Sequence, residues 1–118
     1  MANARGIVRF EAGGDNYKLQ FTTNAWCELE DQAGAPMGEF LVGLGEGGLS
    51  FRRFRLLIWA GLIEHHPNID LRGAGALIDQ MGGVAKISPL VEEAVLASVP
   101  EAEPGEGAEE AGKARGAA

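Results

Sequence analysis

The run LLIWAGLI, residues 56–63, is the longest apolar stretch of the chain and limits its folds more than any other segment. Eight residues are too few to cross a membrane as a helix, which takes about 20. Ser50 as an N-cap and Pro67 as a stop place the run inside a helix, FRRFRLLIWAGLIEHH, that is apolar nearly all round beyond Arg55. Because such a helix is stable only when its neighbours enclose it, we place it at the centre of the core.

The residues before this central helix predict a β-hairpin and two further helices. Apolar and polar residues alternate on both sides of GGDN, whose residues tolerate positive φ, so GIVRFEAGGDNYKLQFT reads as two paired strands. Thr22 or Thr23 then caps a helix that ends at Gly34 and Pro36. Its apolar stripe consists of Ala25, Trp26, Leu29 and Ala33. APMGEFLVGL predicts a second, short helix, and GLGEGG a loop.

Two more helices are predicted after the central one. Asp70 caps LRGAGALIDQM, which Gly82 and Gly83 end. Ser88 followed by Pro89 is typical of a cap and a first-turn proline, so the last helix is predicted to span residues 89–98. The predicted fold class is therefore α+β, an N-terminal β-hairpin followed by a bundle of four or five short helices.

Composition changes at Pro100. Residues 100–118 contain only Pro, Glu, Ala, Gly, Lys and Arg, and no residue among them can anchor a core. Such composition is typical of disorder. We therefore expect a single α+β domain over residues 1–99 and a disordered Glu/Ala/Gly/Pro tail over residues 100–118. Charges divide into 12 acids and 8 bases before residue 100, and 5 acids and 2 bases after it.

The overall charge and the cysteine count narrow the classes of function. A net charge of −7 argues against a general nucleic-acid binder, which needs a basic surface. A single cysteine cannot form an internal disulfide and suits a reducing cytoplasm. The first ten residues lack the apolar stretch of a signal peptide, and no run is long enough for a membrane helix. We expect no nucleic acid and no membrane among the partners.

No residue pattern predicts catalysis, a cofactor or a metal site. Cys27 lies among Glu28, Glu30 and Asp31, whereas a catalytic thiol needs a base and electropositive surroundings, so we expect a structural cysteine. His65 and His66 are consecutive instead of four residues apart as on zinc-binding helices, and we expect them to interact with the helix dipole. GLGEGG lacks the Lys-Ser/Thr of a phosphate loop.

Arg52, Arg53 and Arg55 are the most informative charged residues. Three cations in the first turns of a helix oppose its dipole, so something must compensate them. Three alternatives remain open: the protein's own acids, an acidic segment of a partner, or a phosphate. Helical geometry predicts that Arg52 and Arg55 share a face, with Arg53 about 100° away.

The order of elements and motifs resembles a known family. A hairpin with Y-x-L-x-F-T is followed by N-A-x-C-x-L-E-x-x-x-G, a short helix, and a helix carrying F-R-x-L-L-x-A-G-L. The matching positions are Tyr17, Leu19, Phe21, Thr22, Asn24, Ala25, Cys27, Leu29, Glu30, Gly34, Phe54, Arg55, Leu56, Leu57, Ala60, Gly61 and Leu62. Over about residues 5–99 the chain resembles the tail assembly chaperones of tailed phages and gene transfer agents, which are also labelled gene transfer agent family or phage tail tube proteins.

This resemblance implies a non-enzymatic role in virion morphogenesis. The protein would act in the cytoplasm of the bacterial host cell or of a bacterium that carries the prophage. Such chaperones hold the tape measure protein until tail tube subunits polymerise round it, and no catalytic, cofactor or metal residue carries over. The alternative is a structural tube or minor tail subunit retained in the particle, but tube subunits need a large sheet and this chain offers one hairpin. Self-association stays open. The candidate partner-binding residues are Arg52, Arg53, Arg55 and Trp59, with a place in the core as the alternative for Trp59.

Overall fold

The computed structural model of the protein describes residues 6–45 and 50–98. In these residues an antiparallel hairpin precedes five helices, which confirms the predicted α+β class. The elements are β1 (Val8–Ala12), β2 (Asp15–Leu19), α1 (Thr23–Ala33), α2 (Met37–Gly45), α3 (Phe51–Leu62), α4 (Leu71–Gln80) and α5 (Val84–Ser98). The predicted tail and residues 46–48 of the predicted GLGEGG loop lie outside the described residues.

The hairpin turns more tightly than the sequence predicted. Strand pairing runs from Val8 opposite Leu19 to Ala12 opposite Asp15, so Asp15 belongs to β2. Gly13 and Gly14 alone form the turn, with φ of 59° and 86°. Positive φ at both central residues is the type I′ geometry, whose twist matches that of the paired strands.

The outer edge of β2 is tied to the end of α3. The backbone N–H of Gln20 donates to the Gly61 carbonyl at 2.8 Å, and that of Lys18 donates to Nε2 of His66 at 3.1 Å. An unpaired strand edge is a template for unwanted pairing with other chains. Here the residues around the end of α3 satisfy two of its donors and fix the hairpin on the helices.

Helix α3 lies at the centre of the core, as the apolar run predicted. It packs against α1, α2, α4, α5 and β2. Its buried residues are Phe54, Leu57, Ile58, Ala60, Gly61 and Leu62. The helix ends at Leu62, earlier than the predicted continuation to His66, because Ile63 and the following residues form a turn in which the His66 N–H donates to the Leu62 carbonyl at 2.8 Å.

Gly61 allows α3 to lie close to the end of β2 and to the connection that follows it. A Cβ at this position would lie 2.8 Å from Cζ of Phe21 and 2.9 Å from Cδ2 of Leu19. Both side chains are buried, and the Phe21 ring stacks on Trp26 with 4.6 Å between ring centroids. Any side chain on Gly61 would therefore displace residues of the core.

Helix ends follow the predicted capping residues. The side chains of Thr22, Ser50 and Asp70 accept backbone N–H groups three residues ahead, at 3.0, 3.2 and 2.8 Å. Gly34 ends α1 in the left-handed region, with φ of 72°.

The cap of α2 was not predicted. Oε2 of Glu30, on α1, accepts the N–H of Met37, the first residue of α2, at 2.9 Å. This carboxylate also suits the positive end of the α2 dipole.

The start of the last helix was predicted wrongly. Helix α5 begins at Val84 and runs through Pro89, instead of starting at Pro89. An internal proline costs about 3 kcal/mol, since it removes one hydrogen bond and crowds the preceding turn. Ile87, which lies in the added turn, is fully buried, and burying such a side chain contributes about 1.5–3 kcal/mol. Because Pro89 has no N–H, the carbonyl of Ala85, four residues earlier, lacks its usual helical partner. Both residues are exposed, so water can hydrate this carbonyl.

Helix α2 ends at Gly45, one residue beyond the predicted segment APMGEFLVGL. Residues 43–45, which also begin the predicted GLGEGG loop, form its last turn. Glycine is a poor helix former, but packing of α2 on α1 and α3 outweighs this preference.

Candidate partner-binding surface

The predicted site residues occupy three separate surfaces. Arg52 and Arg53 line a groove of about 230 Å³ between α2 and α3, which we call the α2–α3 groove. Its other lining residues are Ala33, Ala35, Glu39, Phe40 and Leu56. Arg55 lies in a different groove and Trp59 in a third. Arg52 and Arg55, which the helical repeat places on one face of α3, therefore line different grooves.

Arg53 packs on the backbone of α2. A Cβ at Gly43 would overlap the Arg53 guanidinium, so only glycine allows this contact. Gly43 lies in the last turn of α2, where the carbonyl end of the dipole is negative. The cation opposes the dipole of its own helix but is favoured by that of α2. This contact supplies a compensation that the sequence alone did not predict.

The arginines do not pair with carboxylates of the described residues. Within residues 6–45 and 50–98, neither Arg52 nor Arg53 forms an ion pair, and both side chains are exposed. Glu39 lines the same groove without reaching ion-pair distance. Of the alternatives considered for these cations, pairing with the protein's own acids therefore finds no support in the described part of the chain.

Arg55 faces α4 instead of the α2–α3 groove. Its side chain packs on Gly75, where a Cβ would lie 3.3 Å from Cδ of Arg55. The Nε atom of Arg55 is buried and has no hydrogen-bond partner in the described structure. Phe51, Ile78 and Val84 line the same small groove. Arg55 therefore acts as a packing residue between α3, α4 and the start of α5.

Trp59 is partly in the core and partly at the surface. Its ring packs against the core cluster, and its Nε1 donates to the Ile69 carbonyl at 3.2 Å. It also lines a groove with Gln32, Leu71 and Arg72. The indole thus packs on the core, which was one of the two alternatives considered for it, and it also fixes the loop before α4.

Exposed apolar side chains lie beside the arginines. Val42 is 63% exposed on α2, next to the glycine that Arg53 contacts, and Phe51 is 72% exposed at the start of α3. Leu96, 63% exposed on α5, is the third large apolar side chain exposed in the described residues. Two of these three therefore lie on the helices that form the α2–α3 groove.

Cys27 is exposed on α1, so its side chain is not part of the core. Among its acidic neighbours, Glu28 and Asp31 are exposed, while Glu30 is used as the cap of α2. No hydrogen bond joins Cys27 to a base in the described structure. The geometry around the thiol provides none of the groups that activate a nucleophile.

A cleft of about 700 Å³ between the hairpin and the end of α3 was not predicted. We call it the hairpin cleft, lined by Arg9, Phe10, Glu11, Asn16, Tyr17, Lys18, His65 and His66. The rings of Phe10 and Tyr17 stack with 5.5 Å between centroids, and the His66 ring lies 5.2 Å from that of Tyr17. The adjacent histidines and the aromatic residues Phe10 and Tyr17 were visible in the sequence. That they line one cleft depends on the path of the chain after α3, which the sequence did not show.

The two histidines form hydrogen bonds with β2 and with the residue that follows it. His65 Nε2 lies 2.8 Å from Oε1 of Gln20, and His66 Nε2 accepts the Lys18 N–H. Burial lowers the pKa of His66 below its ordinary value, and the positive charges of His65 and Lys18 lower it further. The expected interaction with the helix dipole is therefore wrong for His66, whose accepting nitrogen must be unprotonated.

Comparison with known proteins adds no assignment. No protein-family model, curated protein or solved structure matches the chain. In residues 6–45 and 50–98, no helix is long and apolar enough to span a membrane. The same residues contain no group of three or more His, Cys, Asp and Glu side chains that could hold a metal ion.

Proposed function

We propose that the protein is a non-enzymatic tail assembly chaperone of a tailed phage or gene transfer agent, which holds the tape measure protein while tail tube subunits assemble. The observation that carries this proposal is the α2–α3 groove, where two arginines without ion pairs in the described structure lie beside the apolar side chains of Phe40 and Leu56. The order of sequence motifs supports the same family of functions.

An amphipathic helix with acidic residues beside its apolar face is the partner that this groove suits. Leu56 and Phe40 offer apolar lining, and Val42 is an exposed apolar side chain on the same helix as Phe40. Apolar contact in a groove supplies most of the affinity for such a helix. The cations of Arg52 and Arg53 select acidic sequences and set the orientation of the helix. Tape measure proteins, which are long and aggregation-prone, would supply segments of this kind.

The alternative role, a subunit retained in the finished tail, is less well supported. Tube subunits join their sheets into a continuous ring, whereas the sheet of the described residues has two short strands. One edge of that sheet is already covered by the residues around the end of α3. A chaperone acting in the cytoplasm of the bacterial host needs no such sheet.

A binding measurement with a charge-matched control tests the proposal. Purified protein is titrated with overlapping fragments of a tape measure protein, and affinity is compared between wild type and the Arg52→Gln/Arg53→Gln variant. We expect a loss of about tenfold, or ~1.4 kcal/mol, at low salt and a smaller loss at high salt. Lys86→Glu, on the exposed face of α5, changes the net charge equally and should bind like wild type.

Two results would contradict the proposal. Equal affinity of wild type and the double variant for every fragment would leave the α2–α3 groove without a role in binding. A stoichiometric amount of the protein in purified particles, measured by mass spectrometry, would favour the structural subunit instead.

A further inference from the structure

The backbone groups of the hairpin alternate between facing the other strand and facing outward. A two-residue turn joins the strands, so Ala12 and Asp15, which flank the turn, form a hydrogen-bonded pair and the two kinds of pair alternate from there. Arg9 opposite Lys18 is therefore a non-hydrogen-bonded pair, whose backbone groups point away from the hairpin. The N–H of Lys18 follows this rule, since it donates to His66 beyond the edge of β2.

The outer edge of β1 carries unused backbone donors and acceptors. The same alternation directs the N–H and C=O groups of Arg9 and Glu11 away from β2. Residues around the end of α3 bind the β2 edge, but no hydrogen bond of residues 6–45 and 50–98 involves these outward groups of β1. Both side chains are exposed as well. β1 therefore presents the groups that one further strand needs.

The order of charges in β1 suits a second copy of the same strand. In VRFEA, residues 8–12, a basic and an acidic residue lie on either side of Phe10. Antiparallel pairing of two copies about Phe10 places Arg9 of each copy opposite Glu11 of the other, and both have outward backbone groups. A slip by two residues would place Arg9 opposite Arg9 or Glu11 opposite Glu11, which is unfavourable. Of these registers, only the one centred on Phe10 satisfies the charges together with the hydrogen bonds.

We propose that β1 pairs antiparallel with β1 of a second copy of this chain, which gives a dimer with a four-stranded sheet. Arg9 faces Lys18 without a counter-charge in the described structure and gains the carboxylate of Glu11 from the other copy. Phe10, half-buried and stacked on Tyr17 with 5.5 Å between ring centroids, meets its own copy at the twofold axis. Aromatic pairs across strands stabilise a sheet.

The pairing closes on itself and leaves the proposed partner-binding groove untouched. The edges of β2 are bound by the residues around the end of α3, so the sheet ends there on both sides. An interface that uses the same strand of both copies gives a closed dimer and not a filament. No residue of β1 lines the α2–α3 groove, so variants of β1 leave that groove unchanged.

Charge reversal on β1 tests the pairing in the full-length protein. Sedimentation equilibrium is measured from about 1 µM to about 1 mM, the range in which small interfaces associate. We expect Arg9→Glu and Glu11→Arg each to raise the dimer Kd by about tenfold or more, because each places like charges opposite each other. Arg9→Glu also removes the like-charge pair with Lys18, so the fold should keep its stability. Lys86→Glu on α5 makes the same change in net charge as Arg9→Glu and should leave the Kd unchanged.

Combinations of the reversed charges should restore the dimer. The Arg9→Glu/Glu11→Arg protein again places opposite charges across the interface and should dimerise like wild type. An equimolar mixture of the two single variants should form a heterodimer more tightly than either variant forms a homodimer. Amide hydrogen exchange is an independent measurement: at rising protein concentration it should slow at Arg9 and Glu11 but not at Asn16, whose N–H points outward from β2.

Several results would overturn the proposal. One is a wild-type protein that stays monomeric over the whole concentration range, and another is a dimer whose Kd the charge reversals leave unchanged. Failure of the mixed single variants to associate would exclude the antiparallel register. If the amides of Arg9 and Glu11 become protected only when a tape measure fragment is added to a monomeric protein, the edge takes a strand from a partner instead of a second copy.

Discussion

Replacing Gly61 by alanine tests how tightly α3 packs against the end of β2. Gly61 is buried one residue before the end of α3, and its φ is not positive, so alanine causes no backbone strain. The added methyl would nevertheless lie 2.8 Å from Cζ of Phe21 and 2.9 Å from Cδ2 of Leu19, closer than real side chains approach. Either the helix or these two side chains must move.

Two opposing effects decide the size of the change in stability. Alanine is a better helix former than glycine by up to about 1 kcal/mol, and less near a helix end. Overpacking of a well-packed core costs about 1–3 kcal/mol. Movement of α3 would also strain the hydrogen bond from the Gln20 N–H to the Gly61 carbonyl. We expect a net loss of about 1–2 kcal/mol, which lowers Tm by roughly 5–15 °C in a domain of this size.

Thermal and urea denaturation followed by circular dichroism measure this loss, with Gly75→Ala as the matched control. Gly75 lies inside α4, where the nearest atom to a new Cβ is the flexible Cδ of Arg55 at 3.3 Å. There the helix-forming preference should dominate, and we expect stability to stay equal or to rise by up to about 1 kcal/mol. A Gly61→Ala protein as stable as wild type would refute the close contact between α3 and Phe21.

The remaining predictions concern single side chains. Between about pH 8 and pH 5, Tm should fall as pH falls through about 6.5, because the unfolded state then binds a proton that folded His66, with its lowered pKa, resists. His66→Gln should flatten this part of the profile, and an unchanged pH profile would contradict the hydrogen bond from Lys18. Trp59→Ala should cost about 3 kcal/mol in chemical denaturation, since it removes a half-buried indole and its bond to the Ile69 carbonyl, whereas a loss under about 1 kcal/mol would make the ring a surface group. Cys27→Ser should change stability by less than about 0.5 kcal/mol and leave partner binding intact, while native Cys27 should react readily with a thiol reagent; slow labelling would show that the thiol is covered.

The sequence by itself determined the features that depend on near neighbours. Thr22, Ser50 and Asp70 cap helices because each accepts an N–H three residues ahead, an interaction contained in a single turn. Gly13 and Gly14 form a tight turn because only such residues adopt positive φ freely. The apolar run of α3 predicted the centre of the core, since burial on all sides was its one stable environment.

The sequence-based prediction of a helix start was wrong at α5, where the burial of an apolar side chain outweighs the local preference of the residues for capping. Ser88 and Pro89 predicted a helix start, but a helix that begins at Val84 buries Ile87 in the core. The gain from burying that side chain is comparable with the cost of an internal proline, and no pattern within a few residues reveals it.

Only the tertiary structure decided what the functional candidates contact. The helical repeat gives the angle between Arg52, Arg53 and Arg55, but the packing of α2 and α4 on α3 sends Arg53 to Gly43 and Arg55 to Gly75. His66 accepts the N–H of Lys18 across 48 positions of the chain, and both residues line the hairpin cleft. Such contacts depend on the relative placement of whole elements, which is fixed by the sum of many apolar contacts and not by the residues beside each site.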